Sequence, residues 1–286
     1  MIWVVGRDGM LARDVIKELE HNLVAYIATN RTVNITDAKQ VNAFAYERDI
    51  SCIINCSGYT NVNRAEDDDA KDAYDLNVIG VMNLAFMAQS LQVPLIHIST
   101  DYVFDGCKDA PYNENDEPNP INNYGKTKLL GEECVSTICH KYHIVRTSWL
   151  YGEHGKNFVK TVLDNEGDMH IIDDQIGSPT WTVDLARAIM PLIGNTDYGV
   201  VHISGEGESS WFDFAQLIQH YGFKHGLCND TFEIHPVSTE YINNSTQRPK
   251  YSVLSNDMYN KRFNNVPFAW ETSLAEFIMT LSEKNS

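Results

Sequence analysis

The chain opens on a four-residue apolar run, Ile2-Trp3-Val4-Val5, that breaks at Gly6 and turns to a helical pattern after Gly9. A parallel strand reaches its next partner only through a long crossover, usually a helix, so this opening narrows the available folds sharply. The alternation then repeats. Apolar runs at 2–5, 23–28, 52–56, 93–98 and 143–147 read as strands. Between them, Leu11, Val15 and Leu19 recur at helical spacing, as do Leu76, Gly80, Leu84 and Met87. Strands that are apolar throughout are buried on both faces. The expected fold is α/β, a doubly wound (Rossmann) parallel sheet with a smaller C-terminal substrate-binding lobe.

Beyond Gly152 the pattern loosens. Helices are expected over 157–163, 183–192 and 211–221, the last capped by Ser209 or Ser210, with a strand at 200–204. Asn, Pro and Thr crowd 235–250, which reads as loop with a short strand. Residues 1–152 are therefore expected to form the dinucleotide-binding domain, with later returns through about 170–222, and 153–286 mainly a discontinuous substrate lobe. A net charge of −17 argues against a nucleic-acid or anionic-membrane surface, though not against a locally basic pocket for an anionic small molecule. No apolar run approaches the ~20 residues of a membrane span. The first strand has no basic leader before it, so a cytoplasmic location is expected. The six cysteines show no C-x-x-C pair and no histidine partners at zinc spacing, as idle thiols in a reducing compartment would.

The turn Gly6-Arg7-Asp8-Gly9-Met10-Leu11-Ala12 is G-x-x-G-x-x-A, a variant of the dinucleotide fingerprint. Gly6 permits the turn, Gly9 lets backbone approach a pyrophosphate, and the N–H groups opening the helix at Met10 and Leu11 face phosphate. The second strand ends Ala28-Thr29-Asn30-Arg31 with no carboxylate for a ribose 2′-hydroxyl. Arg31 beside Asn30 suits a 2′-phosphate instead, which favours NADPH and leaves NADH use open. Small residues in Asn55-Cys56-Ser57-Gly58-Tyr59-Thr60 offer a further backbone wall for the cofactor.

The strand at 93–98 runs out into Ser99-Thr100-Asp101-Tyr102, where ligands of open α/β sheets bind. Tyr124 precedes Lys128 by four residues, so on a helix both lie on one face. A Thr100 hydroxyl can donate to a carbonyl oxygen as it gains charge, and Tyr124 can supply the proton. Lys128 can hold the nicotinamide ribose and is expected to pull the phenol pKa down. No carboxylate cluster suggests a metal.

Four segments together resemble the dTDP-4-dehydrorhamnose reductase family of the extended short-chain dehydrogenase/reductase superfamily. They are Ser99-Thr100-Asp101-Tyr102-Val103-Phe104-Asp105-Gly106, Tyr124-Gly125-Lys126-Thr127-Lys128-Leu129-Leu130-Gly131-Glu132, Arg146-Thr147-Ser148-Trp149-Leu150-Tyr151-Gly152 and Asp174-Gln175-Ile176-Gly177-Ser178-Pro179-Thr180. The resemblance implies reduction of the 4-keto group of dTDP-4-dehydro-L-rhamnose to dTDP-L-rhamnose, for cell-surface polysaccharide precursors. It implies that Thr100, Tyr124 and Lys128 are catalytic and that Asp101 and Trp149 touch the sugar nucleotide. Gly9-Met10-Leu11, Asn34-Ile35 and Gly58-Tyr59-Thr60 fall where the family binds cofactor, although Asn34 replaces the usual Asp. Arg248, before Pro249, is a candidate phosphate contact in the later lobe, and a homodimer is suggested by the resemblance alone.

Two other readings share the fold. A sugar-nucleotide dehydratase or epimerase would resemble Thr-Asp-Glu after this strand, whereas Tyr102 occupies the glutamate position. A non-catalytic regulatory subunit, resembling the β subunit of methionine adenosyltransferase, would not need Thr100, Tyr124 and Lys128 together.

Overall fold

The computed structural model describes residues 1–229, 232–242, 246–264 and 268–285. The chain begins β1 (Ile2–Val5), α1 (Met10–His21), β2 (Tyr26–Thr29), α2 (Ala38–Tyr46) and β3 (Cys52–Asn55). A short α3 (Ala70–Tyr74) leads through a π-helical turn, Asp75–Gly80, into α4 (Val81–Leu91). Then come β4 (Leu95–Thr100), α5 (Asn123–Ile138) and β5 (Tyr142–Thr147). The second half contains β6 (Leu150–Tyr151), α6 (Phe158–Leu163), β7 (Met169–Ile172), β8 (Ile176–Gly177), β9 (Thr180–Trp181) and α7 (Thr182–Ile189). It ends β10 (Gly199–His202), β11 (Ser209–Ser210), α8 (Trp211–Lys224), β12 (Ile234–Val237), α9 (Asp257–Phe263) and α10 (Trp270–Asn285).

Six strands pair in the order β2-β1-β3-β4-β5-β10, every pair parallel. Their side chains alternate between two cores, as the two-residue period of a strand requires. Ile2 and Val4 pack with Leu11, Val15 and Leu19 of α1 and Leu185 and Ile189 of α7. Trp3 and Val5 pack on the opposite face with Val41, Leu84, Met87 and Val135. A third cluster gathers Tyr151, Val162, Trp181, Phe214 and Phe277 away from the main sheet. Among the described residues no helix is long and apolar enough to cross a membrane.

Element edges moved where local chemistry outweighed apolar pattern. The strand expected at 23–28 starts only at Tyr26. Leu23 is 94% exposed with φ +55°, and Val24 N–H bonds back to the Leu19 carbonyl, so this stretch wraps the end of α1. β4 runs two residues further than expected, to Thr100, paired with β5 throughout. Pro191 ends the helix expected over 183–192, and Met190–Leu192 finish as a 3₁₀ turn. Ser210 caps α8 by accepting from Asp213 N–H at 3.0 Å. The strand expected at 200–204 appears as β10 beside β5. Within 235–250 the short strand is β12, parallel to β7, while positions 243–245 lie outside the described residues.

Candidate active site

The glycine turn is built for close approach. Gly6 has φ +88°, a value that favours glycine, and a Cβ there would stand 2.9 Å from the Ser57 backbone nitrogen. Gly6 and Arg7 N–H both donate to the Thr29 carbonyl, tying the turn to the end of β2. Gly9 is the N-cap of α1 and offers no side-chain acceptor, so the first N–H groups of Met10 and Leu11 have no side-chain cap. That opening suits a pyrophosphate, with the positive end of the helix dipole behind it. Leu11 itself is core, and Met10 lies against Gly152. Asn30 is held by Asp8 at 2.7 Å, and Arg31 follows with an exposed side chain.

Ser57 and Gly58 carry this wall across to the chemistry. Asn55 accepts from both the backbone and the hydroxyl of Ser57. A Cβ on Gly58 would lie 3.8 Å from the Lys128 ammonium. Asn77, buried on the π-helical turn, accepts from Tyr59 N–H at 2.8 Å and donates to the Tyr59 carbonyl and the Thr127 hydroxyl. One side chain thus fixes the Gly58-Tyr59 loop to α5. Thr60 is exposed beside it.

Of the three groups expected to act on a carbonyl, Thr100 and Tyr124 are neighbours, and Lys128 follows one helical turn on. Thr100 ends β4, and its hydroxyl is near enough to the Tyr124 phenol, at the start of α5, to favour the ionised form. Asn122 caps that helix by accepting from Gly125 N–H at 2.8 Å. Gly125 is required because a Cβ there would stand 2.1 Å from the Tyr102 carbonyl. Lys128 is 5% exposed and donates to the Ile98 carbonyl at 2.6 Å. Burial lowers its pKa to about 8, against an opposing pull from Glu132, so the ammonium remains charged at neutral pH.

One electrostatic expectation is corrected. Lys128 was expected to lower the phenol pKa, but burial dominates and raises it, with Asp101 and Tyr102 pushing the same way. Only Thr100 opposes the shift, and the Lys128 ammonium is directed toward Ile98 instead. Tyr124 is therefore a protonated phenol across the neutral range, a proton donor at rest.

Asp101 is 2% exposed and accepts the Thr100 hydroxyl at 2.9 Å. Tyr102 stacks edge-on against Tyr124 with ring centroids 5.7 Å apart. Arg248 reaches the same neighbourhood, acting electrostatically on Tyr102 and donating to Asn63 at 3.2 Å. Its segment is anchored by Asn122, which donates to the Gln247 carbonyl, and by Gly106, pressed against Pro249 and Lys250. Trp149 has φ +44° and stacks on Trp211 at 3.6 Å beneath Gly177, whose missing Cβ makes the room.

Two expected positions are occupied structurally. The Ile35 side chain is core, lodged against Gly80, and its carbonyl accepts from Asn83. Asn34 closes an Asx turn, accepting from the backbone and hydroxyl of Thr36. Sequence reasoning also missed a buried support: Glu132 pairs with Arg146 at 2.7 Å and accepts the Ser99 hydroxyl. Arg146 in turn faces His202, whose pKa burial and that charge push down to about 3. A charged pair at the end of β5 and one turn beyond Lys128 was the available signal.

A model of the RmlD substrate binding domain matches residues 1–283 of the chain. The dTDP-4-keto-6-deoxy-D-glucose reductase of Streptomyces niveus is 35% identical over 99% of both chains. The dTDP-4-dehydrorhamnose reductase of Mycolicibacterium smegmatis is 35% identical over 89% of this chain and 77% of its own. The crystal structure of dTDP-4-dehydrorhamnose reductase from Bacillus anthracis in complex with NADP superposes with a TM-score of 0.91 at 36% identity, covering 98% of each chain.

Proposed function

The chain belongs to the RmlD substrate binding domain family, and on that premise we propose that it reduces the 4-keto group of dTDP-4-dehydro-L-rhamnose with NADPH, giving dTDP-L-rhamnose. The observation that carries this reading is the Thr100 hydroxyl set at the carboxyl end of β4 where it acts on the Tyr124 phenol, with Lys128 one helical turn away. The glycine turn fits the cofactor on its own evidence: an uncapped helix start, and a Gly6 that no side chain could replace without meeting Ser57.

When bound, the dihydronicotinamide supplies a hydride to C4. The rest is done by this chain. Thr100 orients the carbonyl oxygen, and Tyr124 surrenders its proton to that oxygen as negative charge develops. Lys128 supplies a fixed positive charge beside the Gly58 wall and is suited to ribose hydroxyls. Met10, Leu11, Tyr59 and Thr60 would frame the cofactor side chiefly through their backbone, with Asn30 beside them, while Asp101, Trp149 and Arg248 would frame the sugar nucleotide. In the same reading, residues 1–152 with the returns through about 170–222 form the cofactor part, and 153–286 contribute mainly to the substrate lobe. The separate aromatic core around Phe214 supports a second lobe, and it draws Trp181, Phe214 and Ile218 from the expected return segment together with Phe232 and Phe277. A homodimer belongs to the proposal as well, and light scattering would report it.

Incubation with dTDP- and UDP-linked 4-keto sugars, each with NADPH and NADH, tests the function. Conversion of dTDP-4-dehydro-L-rhamnose to the 6-deoxy alcohol supports it, and failure of every keto sugar rejects it. Arg31→Ala tests the cofactor reading. Loss of the guanidinium should raise the KM for NADPH by about tenfold, the scale of one charged hydrogen bond, and leave NADH little changed. Equal effects on both would remove Arg31 from the 2′-phosphate.

A further inference from the structure

Asn55 ends β3 between the two strands that carry the site, in register with Val5 of β1 and His97 of β4. Asn55 and His97 are both wholly buried, and the chemistry proposed above uses neither side chain. Their hydrogen bonds nevertheless lead straight to the cofactor wall. The Asn55 Oδ1 accepts from the Ser57 N–H at 3.0 Å and from the Ser57 hydroxyl at 2.6 Å. The Asn55 Nδ2 lies 3.1 Å from the His97 Nδ1. Ser57 in turn fills the space that a side chain on Gly6 would need, its nitrogen 2.9 Å from a Cβ there.

The direction of each bond follows from what the groups can do. A backbone N–H only donates, so the Asn55 atom facing Ser57 is the oxygen. The amide NH2 therefore faces His97, and it too only donates. The His97 Nδ1 must then accept, which makes the ring neutral with its proton on Nε2. Burial supports that state by lowering the His97 pKa well below its usual value, and the Lys128 charge acts the same way. The other neutral tautomer, or an imidazolium, would set N–H against N–H at this contact. The amide would have to turn over to escape it, and the Ser57 N–H would then face an NH2 group.

Resting on the cofactor reading above, we propose that His97 is a positioning residue for NADPH: its bare Nδ1 fixes the Asn55 amide, and the amide holds Ser57 against the Gly6 turn. The relay runs from the middle of the sheet to the two surfaces that a dinucleotide has to pass. On one side Ser57 meets Gly6, ahead of the start of α1, which has no side-chain cap. On the other, Gly58 follows directly, with the Lys128 ammonium 3.8 Å from where its Cβ would be. A wall already set before the cofactor arrives binds it at a smaller cost in ordering. His97 is well suited to that task, because it sits on a central strand paired on both sides and cannot drift with the loop.

The test measures the NADPH dissociation constant of wild type, His97→Leu and His97→Asn by fluorescence titration, alongside kcat for the keto sugar at saturating NADPH. Leucine removes the acceptor and stays apolar in the core. Asparagine returns an amide oxygen on Cγ, the atom that carries Nδ1 in His97. His97→Leu should raise the dissociation constant about three- to tenfold, the span of one neutral hydrogen bond, with kcat changed less. His97→Asn should stay within about twofold of wild type, because an acceptor is restored. Ring-nitrogen NMR of the free wild-type protein at neutral pH supplies a readout independent of binding, and should show a bare Nδ1 and a protonated Nε2. An unchanged constant in His97→Leu, equal losses in both variants, or a proton on Nδ1 would each overturn the proposal. Should His97→Leu fail to fold, a weakened His97→Asn or a proton on Nδ1 still overturns it, and their opposites support it. Wild type that binds neither NADPH nor NADH would overturn the cofactor reading and this proposal together, whereas the other outcomes leave that reading standing.

Discussion

Replacing Tyr124 by Phe should reduce turnover at least about 10²-fold while cofactor binding persists. The change removes one oxygen and keeps the ring that meets Tyr102 edge-on at 5.7 Å. The start of α5 is held independently of that hydroxyl, by the Asn122 cap and by the fit of Gly125 against the Tyr102 carbonyl. The glycine turn and the Gly58 wall are untouched as well. A loss confined to kcat identifies an interaction made in the transition state. Steady-state kinetics with fluorescence titration of NADPH separates the two effects. Turnover near wild type would remove Tyr124 as the proton donor, whatever the fold.

The second large effect is expected in stability. Glu132→Ala should destabilise the protein by about 3–5 kcal/mol, because it strands a buried guanidinium. Arg146 and Glu132 have side chains only 4% exposed, and two Arg146 nitrogens donate to the carboxylate. The neighbours left to Arg146 cannot replace that charge. His202 is held neutral by burial, and Phe104 presents a ring face 5.1 Å away. Ser99 would lose its acceptor in the same step. Glu132 also raises the Lys128 pKa, so the variant should lose its ammonium at a pH below the present value of about 8. Denaturant unfolding measures the first effect, and a loss below about 1 kcal/mol would mean that water or a rearranged side chain compensates.

The sheet was legible because its strands are short, apolar throughout and separated by helical spacing, which leaves little besides a parallel sheet covered on both faces. The placement of the proposed catalytic trio was legible for a related reason. Thr100 ends a strand, and Tyr124 and Lys128 share one helical face, so sequence spacing translates directly into proximity. Three things depended on backbone bonding or packing that apolar spacing does not encode, and were not. Leu23 carries an apolar side chain yet sits in the turn closing α1, because backbone bonding there outweighs burial. The phenol pKa depends on how deeply α5 seats against β4 and on where the Lys128 ammonium finds its acceptor, neither of which spacing encodes. Asn77 looks like an ordinary helix residue in sequence, and only the π-helical turn brings it between Tyr59 and Thr127. The same applies to Arg248, which comes from well over a hundred residues downstream to the neighbourhood of Tyr102.

The most direct test of the central claim follows the hydrogen itself. The protein is incubated with dTDP-4-dehydro-L-rhamnose and NADPH carrying deuterium at the transferable position, and the product sugar is read by NMR. The account predicts one deuterium at C4 for each cofactor oxidised, and matching loss of yield in Tyr124→Phe. Deuterium at another carbon, or none while cofactor and sugar nucleotide both bind, would contradict it.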